Sequence, residues 1–242
     1  MRRRLVMIMG NTKTMEKVKI NFSEPHITYK NKAGEKVVGV TTALGILNKP
    51  ALVPWAYNRG KAGLELYGSR DKAANIGTIV HERIMAYYKG YEIDDSNIAP
   101  DVWKLTDNCM QSFYQWAEPR NVKPELIEVP MVSEKYQYGG TFDLLGVMDG
   151  ELTLLDFKTG SGLYEEHFVQ VAGYMQLIRE AGYNPIKVMI LNIPKTSDDS
   201  FTVQSISADQ ESMKLRFDKF IRLVEIWHID KKLKDYKNGG LL

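Results

Sequence analysis

One segment constrains this chain more than any other: Gly139 to Gly160, GGTFDLLGVMDGELTLLDFKTG. Asp149-Gly150 is a strong two-residue hairpin turn, because both central positions of the favoured turn need a positive φ. With those two residues as the loop, Met148 pairs with Glu151, and counting outward brings Asp143 directly opposite Asp156. Side chains alternate across a strand, so Lys158 shares the face of Asp156, with Thr141 opposite Lys158. Phe142, Leu144, Leu155 and Phe157 form the other face. Leu145, Val147, Leu152 and Leu154 continue the carboxylate face toward the turn. Apolar residues on both faces predict central strands, with the charges at the end away from the turn.

That placement is costly without compensation. Like charges opposed on paired strands destabilise a sheet, and buried carboxylates need a partner or a metal. One lysine cannot satisfy two carboxylates. A hard divalent cation with oxygen ligands can, and Mg²⁺ is commonly held by one or two carboxylates plus substrate phosphate. A salt-bridged Asp143–Lys158–Asp156 cluster at a sheet edge is the equal alternative on the hairpin alone. The pairing also depends on the two-residue loop, since a bulged three-residue loop would send one aspartate to the opposite face.

The rest of the chain divides by hydrophobic period. His26 to Leu44 reads as a hairpin about Gly34, then come helices over Pro54–Tyr67, Asp71–Tyr88 and Asp101–Trp116. Strands are expected at Leu126–Ser133, Tyr138–Val147, Glu151–Lys158, Ile186–Ile193 and Phe201–Ile206, with a helix at Tyr164–Ala181 between the third and fourth. A last helix is expected from Ser207, where Ser207-x-x-Gln210 fits a capping box. There is no repeat and no clear boundary inside the chain. The expected organisation is a basic arm over 1–20, then one domain over 21–242, with a helical wall at 50–118, a core at 126–206 and a C-terminal helix at 207–233. The fold class is α/β, or α+β: a mixed central β-sheet flanked by helices, with a helical N-terminal part.

Here a resemblance enters. Asp143, then Asp156-Phe157-Lys158 after a short hairpin, resembles the core of the PD-(D/E)XK nuclease superfamily, and the following Thr159-Gly160 is common in its RecB-like branch. Gln170-x-x-x-Tyr174 downstream and Gly77-Thr78-x-x-His81 upstream match in the right order. The region from Val40-Thr41-Thr42 through Pro50, Trp55 and Gly60 is similar to a segment N-terminal to this core in phage exonucleases and in relatives of the mitochondrial genome maintenance exonuclease. The resemblance covers roughly Val40 to Ile193. It implies a restriction-endonuclease-like core and a metal-dependent DNA exonuclease acting in phage or cellular recombination, replication or repair.

The resemblance also implies roles. Asp143 and Asp156 would hold one or two Mg²⁺ or Mn²⁺ ions, with His81 and the main-chain carbonyl of Phe157 as further ligands. Lys158 would stand beside the attacking water and the scissile phosphate. Gln170 would orient Lys158 or the substrate, and Tyr174 would contact a phosphate or base. Trp55, Arg59, Lys61, Thr78 and Thr159 are candidate DNA contacts, since aromatic faces and cations suit single strands. The implied partner is DNA at its ends, single- or double-stranded; a recombination or single-strand-binding protein is a further one. Each of these residues also has an ordinary structural reading: a core histidine, a half-buried tyrosine, a tryptophan anchor. A non-catalytic DNA-binding or assembly module of the same fold, and a restriction-type endonuclease, are the alternatives. Glu128 is a further acidic residue that stands as well facing solvent as holding metal.

Composition narrows the rest. The chain has 242 residues, with Lys+Arg 32 against Asp+Glu 30. The net charge of +2 does not by itself argue for nucleic acid. The single cysteine, Cys109, excludes a disulfide framework. It also sets the chain apart from RecB-like relatives that hold an iron–sulfur cluster on four cysteines. No apolar run is long enough to span a membrane, and no Gly-rich triphosphate loop is present. The expected location is cytoplasmic, the host's if the chain is phage-encoded. Mitochondrial targeting by the Arg-rich, acid-poor start is the minor alternative.

Overall fold

The computed structural model describes residues 17–20, 22, 27–50, 52–64, 67–193, 195 and 201–238. Most of the expected basic arm lies outside them. The elements are β1 (Lys17–Lys19), β2 (Val38–Gly39), α1 (Val40–Leu44), α2 (Leu52–Lys61), α3 (Tyr67–Lys89), β3 (Glu92–Asp94), α4 (Pro100–Ala117), β4 (Lys123–Ile127), β5 (Pro130–Ser133), β6 (Tyr138–Thr141), β7 (Leu144–Met148), β8 (Glu151–Lys158), α5 (Glu165–Glu180), β9 (Lys187–Asn192), β10 (Thr202–Ser207) and α6 (Glu211–Asn238). A 3-10 turn at Glu118–Arg120 follows α4. No helix among the described residues is long and apolar enough to cross a membrane.

The central sheet has five strands in the order β10-β9-β8-β7-β4. Strands β8 and β9 run parallel, joined through α5, and the other pairs are antiparallel. The Asp149-Gly150 turn closes β7 onto β8 with both residues at positive φ, 53° and 80°. Its register is the one the two-residue loop dictates, from Met148↔Glu151 to Leu144↔Leu155. Apolar residues then alternate between two cores. Leu145, Leu154, Val188 and Ile190 pack with α1, α5 and α6. Leu144, Leu155, Phe157, Met189 and Leu191 pack with α3 and α4 on the opposite face. The fold is therefore a mixed sheet between helical layers, α/β as its pattern of periods indicates.

The departures from expectation cluster at one level of the sheet. The strand expected over Tyr138–Val147 is two strands, β6 and β7, broken at Phe142–Asp143. That over Leu126–Ser133 is likewise two, β4 and β5, broken at Glu128, whose φ is 50°. The two breaks face each other, and the Glu128 N–H donates to the Asp143 carbonyl at 3.0 Å. Beyond this corner β5 and β6 leave the central sheet and form a second one with β2, in the order β2-β6-β5. Thr141 consequently faces Pro130 in the ladder and does not stand opposite Lys158. Phe142 turns into the core under α5 instead of joining Leu144 and Leu155.

Two further corrections are local. Val40-Thr41-Thr42-Ala43-Leu44, read from its β-branched residues as strand, is helix α1. Near its end the Gly45 N–H is shared by the Thr41 and Thr42 carbonyls, and the Ala43 carbonyl accepts the Ile46 N–H. Helix α6 starts at Glu211 and not just after Ser207, because Ser207 is still paired to Lys187 as the last residue of β10. It then runs on to Asn238, past the expected end near 233.

Candidate functional site

The corner between the two sheets puts Asp143 at the mouth of the β7–β8 pair, next to the C-terminal end of β8. Asp143 Oδ2 accepts the Phe157 N–H at 2.7 Å, which fixes the carboxylate on the strand that carries Asp156 and Lys158. Asp156 is 1% exposed. Its Oδ2 accepts no hydrogen bond, although Lys158 Nζ lies 2.6 Å away as an ion-pair partner. The ammonium is close but poorly aligned, so this oxygen gains charge compensation without a well-directed hydrogen bond.

Burial pushes the Asp156 carboxyl above its ordinary range; Lys158 pulls it back and the nearby Asp143 adds to the push. Burial also works against the charge on Lys158, but attraction from Asp156 and Asp143 outweighs it and the ammonium is held more firmly protonated. In this arrangement Lys158 is a cation, not a base.

Helix α3 meets the strand end from the other face. Residues four apart on a helix are separated by about 6 Å along its axis, close to the roughly 6.6 Å between strand residues two apart. Gly77 and His81 therefore match Thr159 and Phe157. A Cβ on Gly77 would meet Thr159 Oγ1 at 3.1 Å, so the small residue lets the helix approach. His81 Nε2 donates to the Phe157 carbonyl at 2.9 Å, while Nδ1 lies 3.6 Å from Asp143 Oδ1. The imidazole stands between the carbonyl and the carboxylate.

Helix α5 supplies the third side. Gln170 Nε2 donates to the Tyr174 hydroxyl at 3.0 Å. Tyr174 is buried, so it braces Gln170 from within the core and does not present its ring to solvent. Gln170, Lys158, His167, Lys49, Glu166 and Thr41 line one cavity of about 230 Å³. His167 Nδ1 accepts the Tyr164 N–H at 3.2 Å, closing the start of α5. Burial first, and Lys158 second, pull His167 below its ordinary 6.5. The neutral ring keeps Nδ1 as an acceptor and carries its proton on Nε2. A depressed histidine stabilises the fold in full above its unfolded value, and that contribution is lost as pH falls through the lowered folded value. Urea unfolding should thus show stability declining as pH drops below 6.5, with a shallower decline in His167→Ala.

The remaining candidates are not gathered here. Trp55, Arg59 and Lys61 lie on α2, a helix with no buried residue, where the Arg59 guanidinium sits 5.5 Å from the Trp55 ring centre. Thr78 is exposed on α3. Glu128 is turned to Lys89 at 2.8 Å.

No family model matches this chain, and no curated protein does. Several solved structures superpose on it. The crystal structure of SSO0001 is 18% identical over 52% of this chain, with a TM-score of 0.33, and the chain spans 59% of its length. LHK-Exo in complex with dAMP is 10% identical over 85% of this chain and 95% of its own, with a TM-score of 0.42. A second structure of LHK-Exo, an alkaline exonuclease from Laribacter hongkongensis, covers 83% and 94% at 10% identity, with a TM-score of 0.40. Chains that superpose on this one thus include an exonuclease. Likenesses this distant carry no argument about chemistry, which rests on the chain's own residues.

Those residues include one that the motifs did not single out, Tyr29. Gly139 and Gly39 are partners on β6 and β2. A Cβ on Gly139 would lie 2.4 Å from Tyr29 Cγ, and one on Gly39 would lie 3.2 Å from Tyr29 Cε2. The ring rests across both glycines, and its hydroxyl shares a 2.9 Å hydrogen bond with Thr141 Oγ1, two residues before Asp143. On the opposite face a Cβ on Gly140 would meet Tyr174 at 2.7 Å. The pair Gly139-Gly140 admits one tyrosine to each face of β6. The glycine pair was the visible signal, but its two partners are distant in sequence.

Whether a divalent cation suits this group is a matter of donor chemistry. Among the described residues no three His, Cys, Asp or Glu side chains converge as a ready-made cluster. The available donors are two carboxylates, one imidazole and the Phe157 carbonyl, and the buried Asp156 Oδ2 has the Lys158 ammonium against it as a charge partner. Hard oxygen donors with one imidazole fit Mg²⁺ or Mn²⁺.

Proposed function

We propose that this chain is a metal-dependent deoxyribonuclease that hydrolyses phosphodiester bonds from DNA ends. The observation that carries the reading is the buried Asp156 carboxylate, ion-paired to a firmly protonated Lys158, with Asp143 fixed at the same strand end. A purely structural ion pair has no need of a second carboxylate at the same strand end. The motif resemblance from Gly77 to Tyr174 supports the same reading.

Asp143 and Asp156 would hold one or two Mg²⁺ or Mn²⁺ ions, with His81 and the Phe157 carbonyl as further donors. When bound, such an ion supplies Lewis acidity toward the phosphate and lowers the pKa of water. Lys158 adds a fixed positive charge where negative charge grows on the phosphate during attack. Its pairing with Asp156 and Asp143 favours the protonated form, which suits charge stabilisation. Gln170, braced by Tyr174, orients Lys158 or the substrate strand. Thr159, against Gly77, borders the α3 side of the site, and Thr78 on α3 with Trp55, Arg59 and Lys61 on α2 would extend a DNA path.

Two measurements test this. Linear DNA should be degraded in Mg²⁺ while covalently closed circular DNA survives; cutting of the circle would assign an endonuclease instead, and binding without degradation a non-catalytic module. His81→Ala should raise the Mg²⁺ or Mn²⁺ concentration giving half-maximal activity by about ten- to a hundredfold, read from a metal titration; an unchanged value would remove His81 from the metal site.

A further inference from the structure

The molecule holds a larger cavity beside α1, about 680 Å³, that the chemistry above does not use. Thr28, Tyr29, Lys36, Thr42 and Trp227 line it. Thr41 lines both this cavity and the one containing Lys158 and Gln170. Thr141, two residues before Asp143, borders it as well. The two spaces are therefore neighbours that share a wall residue at the candidate active site.

Its chemistry is selective. Among the described residues its side chains are threonine and tyrosine hydroxyls, two aromatic rings, one lysine and the aliphatic Ile27, Val37 and Val38, with no carboxylate. The cavities under α6 and α5 each include one, Asp218 and Glu166. Absence of fixed negative charge tolerates a phosphodiester, hydroxyls suit sugar and phosphate oxygens, and aromatic rings suit a nucleobase. The volume lies within the range of small-molecule sites. Tyr29 is held in place from two sides, since glycines on two paired strands receive its ring and its hydroxyl is fixed on Thr141. A ring fixed beforehand loses little freedom when a base stacks on it. The far wall comes from α6, through Trp227.

We propose that this cavity binds one unpaired nucleotide of the substrate strand, its base against Tyr29 and Trp227 and its phosphate toward Lys36 and the α1 threonines. The proposal rests on the nuclease reading for its ligand and adds that the strand is single at this point.

The test uses the full chain in excess chelator, where no cleavage confounds binding, and a short oligothymidylate as probe. Titration should quench tryptophan fluorescence in the parent, and Trp227→Phe should lose most of the quench at similar affinity. With metal present, Thr42→Glu, an exposed change at the cavity rim, should raise KM for single-stranded DNA about tenfold with kcat within about twofold. Full quenching in Trp227→Phe, no quenching in the parent, or an unchanged KM in Thr42→Glu overturns the proposal. If DNA is nonetheless digested, the nuclease reading survives alone. If the quench behaves as stated but Mg²⁺ and Mn²⁺ support no digestion, the nucleotide site stands and the hydrolytic reading falls.

Discussion

Asp156→Ala should lower DNA hydrolysis by on the order of 10³-fold or more, because a cation contributes several kcal/mol of transition-state stabilisation and this carboxylate would be one of its two acidic donors. Asp156→Asn should do nearly as much, since it keeps the volume and removes only the charge. Lys158→Ala should cost on the order of 10²- to 10³-fold, the scale for one lost electrostatic group aimed at developing charge. None of the three needs to unfold the chain: Leu154, Leu155 and Phe157, on the same strand, keep their places in the two cores. Circular dichroism and DNA binding in chelator should match the parent while turnover disappears. A variant that digests DNA at the parental rate would exclude its residue from the chemistry.

Gly139→Ala should be the most destabilising single methyl in the described structure. The added Cβ would fall 2.4 Å from Tyr29 Cγ and 2.5 Å from Tyr29 Cβ. Both atoms lie at the root of the side chain, so no rotation of the ring clears them. Either β6 or the Tyr29 backbone must shift. Overpacking of this kind costs about 1–3 kcal/mol, which in a domain of this size lowers Tm by several degrees. The same shift would break the Tyr29–Thr141 hydrogen bond and disturb the corner that presents Asp143, so activity should fall along with stability. Gly60→Ala is the control. Nothing lies within 4 Å of its Cβ, and it sits inside α2, where alanine is the better helix former. Thermal unfolding of both variants against the parent checks the contrast; equal Tm values would mean that Tyr29 does not press on Gly139.

The hairpin was legible because its determinants are local. Asp149-Gly150 sets the turn, the turn sets the register, and the alternation of Leu144, Leu145, Leu154 and Leu155 assigns the faces. The strand breaks at Glu128 and Asp143 were not legible. Each lies in a run that reads as continuous strand, and the reason for the break is a bond between them, Glu128 N–H to the Asp143 carbonyl. Sheet switching is a tertiary event, and no window of sequence contains both sides of it. Helix α1 was misread for a related reason: Val40, Thr41 and Thr42 favour strands alone, but Val40, Ala43 and Leu44 bury one face against the core under α5.

For the candidate site, sequence order placed Asp143, Asp156 and Lys158 at one strand end, and the fold brings α3 to it through Gly77 and His81 and α5 through Gln170. Tyr174 is buried, and its hydroxyl accepts from Gln170 on the same helix. Tyr29 was invisible because its importance lies in two glycines that pair only in three dimensions.

The central claim is hydrolysis of DNA from its ends by a cation held at Asp143 and Asp156. It is tested most directly by incubating the purified chain with single- and double-stranded DNA labelled at either end, in Mg²⁺, in Mn²⁺ and in excess chelator, and resolving the products with time. The account predicts short products released progressively from an end with either metal and intact DNA in chelator. Equal degradation in chelator, or intact DNA under every condition, would contradict it.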